Sequence, residues 1–155
     1  MTRDDITEEI QRRLSSITIV NGYSFDIVAV RRNPEVPPDP NHMPCAHLFE
    51  AGDRVVKPSN RGASQPPIYK RRLSHIVEYW YKSTSDGQAS KDISLFLAAS
   101  RYALFNDGIT LGGYAAEFSE VETTRVLRPG ISNYVIGIGC TYSTEFVEDF
   151  NSITI

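Results

Sequence analysis

The sequence predicts an α+β fold: a mixed, mostly antiparallel sheet with two helices packed on one face, in the order α-β-β-β-α-β-β. Three observations carry that expectation. Apolar residues recur at helical spacing in two segments, 4–18 and 90–106. Segments 24–31, 45–51, 68–82, 114–127 and 131–143 alternate or run apolar between turn residues, as strands do. The 155 residues, 41% of them hydrophobic, suffice for one core, so a single domain over 1–155 is expected.

The first helix rests on Ile6, Ile10, Leu14 and Ile17, which form one stripe. Thr2 and Asp5 offer a capping box, and Asp4, Asp5, Glu8 and Glu9 suit the positive N-terminal end. Arg12 and Arg13 suit the other end. Asn21-Gly22 fits either a hairpin turn or a helix end, and the Ile and Leu spacing favours the helix end. In the strand at 24–31, Phe25, Ile27 and Ala29 face one way and Asp26, Val28 and Val30 the other. Prolines 34, 37, 38, 40 and 44 then make an extended surface connector. A short strand at 45–51 precedes a polar stretch, 52–67, expected as a mobile loop that carries Arg54, Lys57 and Arg61.

In the long strand at 68–82, Tyr69, Leu73, Val77, Tyr79 and Tyr81 share one face, and Ile76, Glu78 and Trp80 the other. A turn at 83–89 leads to Ser90, which caps the second helix; its stripe is Ile93, Phe96, Leu97, Ser100, Ala103 and Leu104. "NDGITLGGYAAEF" (106–118) reads as a helix-to-strand corner. Gly108 suits a left-handed helix end, and Gly112-Gly113 suit a tight bend. Arg128-Pro129-Gly130 is a turn. In the final strand Tyr134, Ile136, Ile138, Cys140 and Tyr142 form the apolar face, and a tail is expected from about 146. The last two strands pair as a hairpin.

No chemical motif is complete. A phosphate loop needs glycines, a Lys and a hydroxyl before a helix; here the glycines follow one and no Lys comes after. His42 is expected in solvent, whereas His47 and His75 lie on strands that are possible neighbours, without a third ligand at metal spacing. Cys45 or Cys140 with His47 or His75 would make a hydrolase pair. Cys140 alternates with the apolar face and is expected to be buried, while Cys45 follows Pro44 at a strand start, which leaves an exposed position open as the alternative. Both cysteines are expected as buried free thiols. Glu120 and Glu122 are expected on one strand face as a solvated or partner surface. In Lys70-Arg71-Arg72 the strand sends Lys70 and Arg72 to one face and Arg71 to the other, so the charge is split. The net charge of −3 argues against a dedicated nucleic-acid binder. No stretch approaches the ~18 apolar residues of a membrane span. The charged N-terminus lacks a signal-peptide core, so folding in a reducing cytosol is expected.

The order of segments resembles the tail terminator proteins of tailed bacteriophages, also called tail completion or minor tail proteins. The resemblance runs through "NGYSFDIVAVRR", "PCAHLFEAGD", "YKRRLSHIVEYWYK", "SKDISLFLAASRYALFND", "GITLGGYAAEF" and "YVIGIGCTYSTEF", and covers about the whole chain. A richer proline connector and the tail after Phe146 depart from the family pattern. The resemblance implies a structural virion protein, not an enzyme, with no cofactor and no metal. Family members form a ring, usually a hexamer, that caps the tail tube, stops its polymerisation and docks the head. The implied partners are further copies of the chain, the tube protein and a head-completion or neck protein. DNA passes only through the lumen, and no membrane is involved. The place is the head-proximal end of the tail, after assembly in the host cytoplasm. The alternative is a neck or head-completion adaptor of the same particle. Candidate subunit or tube contacts are Arg54, Lys57, Arg61, Lys70, Arg72, Glu78 and Trp80, and open sheet edges offer pairing between copies.

Overall fold

The computed structural model describes residues 2–59, 68–127 and 134–149, with backbone alone at 57–59, 125–127 and 149. The chain forms α1 (Arg3–Ser15), β1 (Ala29–Arg32), β2 (Cys45–Ser59), β3 (Ile68–Lys82), α2 (Asp86–Phe105), β4 (Glu117–Leu127) and β5 (Val135–Asp149). The element order is the one expected. The sheet runs β1-β2-β3-β5-β4, with β1 parallel to β2 and every other pair antiparallel.

One core fills the space between the helices and one sheet face. Ile6, Ile10 and Leu14 of α1 and Ile93, Phe96 and Leu104 of α2 meet Leu73, Val77 and Tyr79 of β3 and Ile138, Tyr142 and Phe146 of β5. Phe96 stands edge-on to Phe25 at 5.2 Å and tilted against Tyr79 at 5.0 Å. Such pairs add about 0.5–1.5 kcal/mol each beyond burial. The buried hydroxyls of Tyr79 and Tyr142 bond each other at 2.7 Å, so neither is left unpaired in the core.

Helix α1 starts on the expected capping box: Asp5 N–H donates to Thr2 Oγ1, and Thr2 N–H donates to the Asp5 carboxylate at 2.7 Å. It stops at Ser15, short of the expected 18. The Ser16 hydroxyl takes the Arg13 carbonyl at 2.6 Å, and the β-branched run Ile17-Thr18-Ile19-Val20 disfavours further helix. A 3₁₀ turn, Ile19–Asn21, ends on Gly22 at φ 92°, so Asn21-Gly22 makes no hairpin. The expected strand at 24–31 begins only at Ala29, because the Asp26 carboxylate instead accepts the Ile19 N–H at 2.7 Å.

The largest correction concerns β2. Residues 52–59, expected as part of a mobile loop, continue the strand and pair with β3. Bulges at Ala51 and Val56 interrupt the alternation and so hide the strand in the sequence. Residues 60–67, with Arg61, lie outside the described residues. Helix α2 starts one turn before Ser90, with Ser85 as its cap. The expected tail is also shorter at its start, since β5 continues through Phe146 to Asp149 beside β3. A further bulge at Val121 puts Glu120 and Glu122 on opposite faces, not on one.

The glycine corner after α2 is structural, as expected. Arg13, 6% exposed, donates to both Asp107 oxygens at 2.7 and 2.8 Å, to Glu9 at 2.7 Å and to the Leu104 carbonyl at 3.3 Å. Asp107 holds the Arg13 charge, and Arg13 in turn keeps the Asp107 carboxyl below its ordinary range. Gly112, at φ 68°, passes so close that a Cβ there would lie 3.1 Å from Arg13 Nη2. The corner then feeds β4, whose Phe118 N–H is taken by the Ile109 carbonyl at 2.6 Å.

Candidate assembly surface

Both helices cover one face of the sheet, and strand register determines what the other face carries. Arg54 stands beside Arg72, Arg72 beside Glu145, and Glu145 beside Glu117, across β2, β3, β5 and β4. The same register puts Lys70, Glu78 and Trp80 on this face. Five of the seven sequence candidates therefore share it: Arg54, Lys70, Arg72, Glu78 and Trp80. Lys57 lies on β2 at the position opposite Lys70, and Arg61 is outside the described residues.

A trough of about 440 Å³ crosses this face. Arg54 and Arg72 form one wall, Glu117 and Glu145 contribute the acidic side, and Ser74, Ser119, Thr141 and Ser143 line the floor. Period-two alternation supplies the hydroxyls, because the opposite-facing neighbours Tyr142 and Thr144 are buried in the core face. Glu145 accepts from Arg72 and lies 3.0 Å from Lys70 Nζ. Arg72 first and Lys70 second hold its carboxyl below the ordinary range. Arg71, sent to the helix side as expected, lies 3.2 Å from Asp53 and 5.7 Å over the Tyr69 ring. Its Nε is 3.1 Å from Glu148 but off the hydrogen-bond axis.

Arg54, Glu117 and Glu122 are exposed, and none forms an ion pair with another described residue. Lys70 and Arg72, offered by the sequence as contacts, are satisfied within the chain by Glu145.

Trp80 requires a correction. Expected on the exposed part of the face, it is 5% exposed and packs with Cys45 and Val135. The cause is Gly137, its cross-strand neighbour, which leaves room for the indole to lie over the backbone. Glu78 is half-buried beside it, and burial raises its carboxyl.

The candidate thiol chemistry separates in space. Cys45 and His47 share a cavity of about 310 Å³ under the proline connector with Arg31, Asp39 and His42. Cys45 is buried, as the reading of two buried free thiols expects, and burial pushes its thiol up to about 11, so it is held protonated. Cys140 is buried as expected and also raised by burial. Both thiols are free. His42 is exposed and meets Asp39 at 3.0 Å. His47 and His75 are not neighbours, because they point to opposite faces of the sheet. His75 is fully buried, with Nε2 2.9 Å from Thr7 Oγ1, and Thr7 in turn donates to Glu50 at 2.7 Å. Among the described residues no group of three or more His, Cys, Asp or Glu side chains is placed to hold a metal ion. No described helix is long and apolar enough to cross a membrane.

Glu117 and Glu145 were not among the sequence candidates. Glu145 lies beyond the strand end expected at 143, although Tyr142, Thr144 and Phe146 continue the buried alternation and are the available signal.

No protein-family model and no curated protein matches the chain. Among solved structures, the chain is similar to the sheath/tube terminator of an extracellular contractile injection system (PVC), seen in its extended state. The identity is 18% and the TM-score 0.44. All of this chain aligns, and it spans 60% of that chain's length. A likeness at this level carries no conclusion about family or activity.

Proposed function

We propose that this protein is a ring-forming tail terminator: it caps a phage-type tail tube, stops tube polymerisation and offers a docking surface to the head. The observation that carries an assembly role is the division of the fold. Helices and core occupy one sheet face, while the other keeps a charged trough whose Arg54 and Glu117 have no ion partner among the described residues. Unspent charges on a rigid sheet suit contacts with other chains. The tail-specific part of the proposal rests on the ordered segments from "NGYSFDIVAVRR" to "YVIGIGCTYSTEF".

In this reading the partners are further copies in a hexamer, the tube protein on one side and a head-completion or neck protein on the other. DNA passes through the lumen, and the chain performs no catalysis and needs no cofactor. The test is tube growth. Tube protein polymerising in the presence of this chain should give shorter tubes, with the chain retained at their ends. Unchanged tube lengths together with capture by portal-side protein would overturn the terminator role in favour of a neck adaptor.

A further inference from the structure

The two outer edges of the sheet differ, and the difference predicts how copies meet. Beyond Glu50, no described strand lies on the outer side of β2. That edge shows Val55 at 45% and Val56 at 40% exposure, next to Arg54. The β4 edge shows Val121 at 60% exposure, next to Glu122 and on the same strand as Glu117. Each edge thus has exposed valine flanked by unpaired charge, and the signs are opposite.

Other charges at these edges do not change the balance. On the β2 side Asp53 is held by Arg3 and Arg71, Glu50 by Arg32, and Asp39 faces His42. Arg31 and Glu35, both exposed, offset each other. On the β4 side Glu120 is held by Arg101. The described side chains therefore leave Arg54 on one edge and Glu117 and Glu122 on the other.

Strand-to-strand pairing is a poor route between these edges. The Ile109 carbonyl already occupies the Phe118 N–H, and β4 has register breaks at 120–122 and 123–126. Side chains must then carry the contact.

We infer that successive copies meet head to tail, the β2 edge of one against the β4 edge of the next, with Arg54 facing Glu117 and Glu122 around a valine contact. β1–β2 and β4 lie at opposite ends of the strand order, so the contact is heterologous and propagates until a rotation closes it. The inference rests on the ring proposed above and assigns its seam.

Two sets of variants of the full chain test it, with and without tail tubes. Val55→Cys and Val121→Cys in one chain, treated with a short bis-maleimide, should give a ladder of covalent oligomers. Either change alone should leave monomers, and a mixture of the two single variants should stop at dimers. The native Cys45 and Cys140 are buried and do not compete. Arg54→Glu should raise the concentration for half-assembly by about tenfold. Adding Glu117→Arg and Glu122→Arg to the same chain should restore assembly. Rings that form without a ladder, and that are indifferent to Arg54→Glu, would overturn the seam and leave the ring standing. A native chain that assembles neither alone nor on tubes would overturn both.

Discussion

Replacing Gly137 with Ala tests the packing on the sheet face opposite the two described helices. A Cβ on Gly137 would lie 2.5 Å from Trp80 Cε3 and 2.6 Å from Cζ3, closer than carbon atoms approach without displacement. The indole has little room to move, because Cys45 and Val135 pack against it and Met43 closes the cluster. Overpacking of this kind costs about 1–3 kcal/mol. At about 2–4 °C per kcal/mol for a chain of this size, the melting temperature should fall by about 2–12 °C. Trp80 is the single tryptophan, so its fluorescence reports both the unfolding midpoint and the local displacement. Gly87→Ala is the control: nothing lies within 4 Å of a Cβ there, and a helical alanine should be neutral or stabilise by up to about 1 kcal/mol. A Gly137→Ala protein with the wild-type midpoint and emission maximum would refute the packing argument.

The buried guanidinium gives a second prediction. Arg13→Leu removes the buried one of the two arginines that hold Glu9, itself 7% exposed, and should cost about 3 kcal/mol in urea unfolding, with part recovered by adding Glu9→Gln. The third concerns pH. Burial lowers His75 to about 4 in the fold, while a free imidazole titrates near 6.5. The unfolded chain therefore takes up the proton first. The contribution of neutral His75 is complete above about pH 6.5 and is lost as pH falls toward 4, by up to about 3 kcal/mol. Glu9, held low by Arg12 and Arg13, and Glu50, held low against its burial by Thr7 first and Arg32 second, add losses of the same sign at lower pH. His75→Gln should flatten the urea midpoint between pH 6.5 and 4.5; an unchanged slope would count against the account of His75.

The sequence signalled elements wherever one periodicity held without interruption. Tyr79, Phe96 and Tyr142 sit in the core because their strands and helix keep strict spacing. It failed where a local device broke the period. The Ala51 and Val56 bulges turned half of β2 into apparent loop, although a 15-residue β3 needs a partner of similar length. The Val121 bulge reversed the face of Glu122. Trp80 was misplaced for another reason: alternation gives the side of a sheet, not its cover, and only the pairing with Gly137 shows that the indole is enclosed. The split of Lys70 and Arg72 from Arg71 needed alternation alone and was legible. Their shared partner, Glu145, depended on cross-strand register, which a single sequence does not contain.

Electron micrographs of tail tubes grown with the purified protein test the central claim most directly. The account predicts annular particles capping one end of the tubes, cross-linked in series through Val55→Cys and Val121→Cys. Bare tube ends beside a population that stays at the 17.4 kDa monomer mass would contradict it.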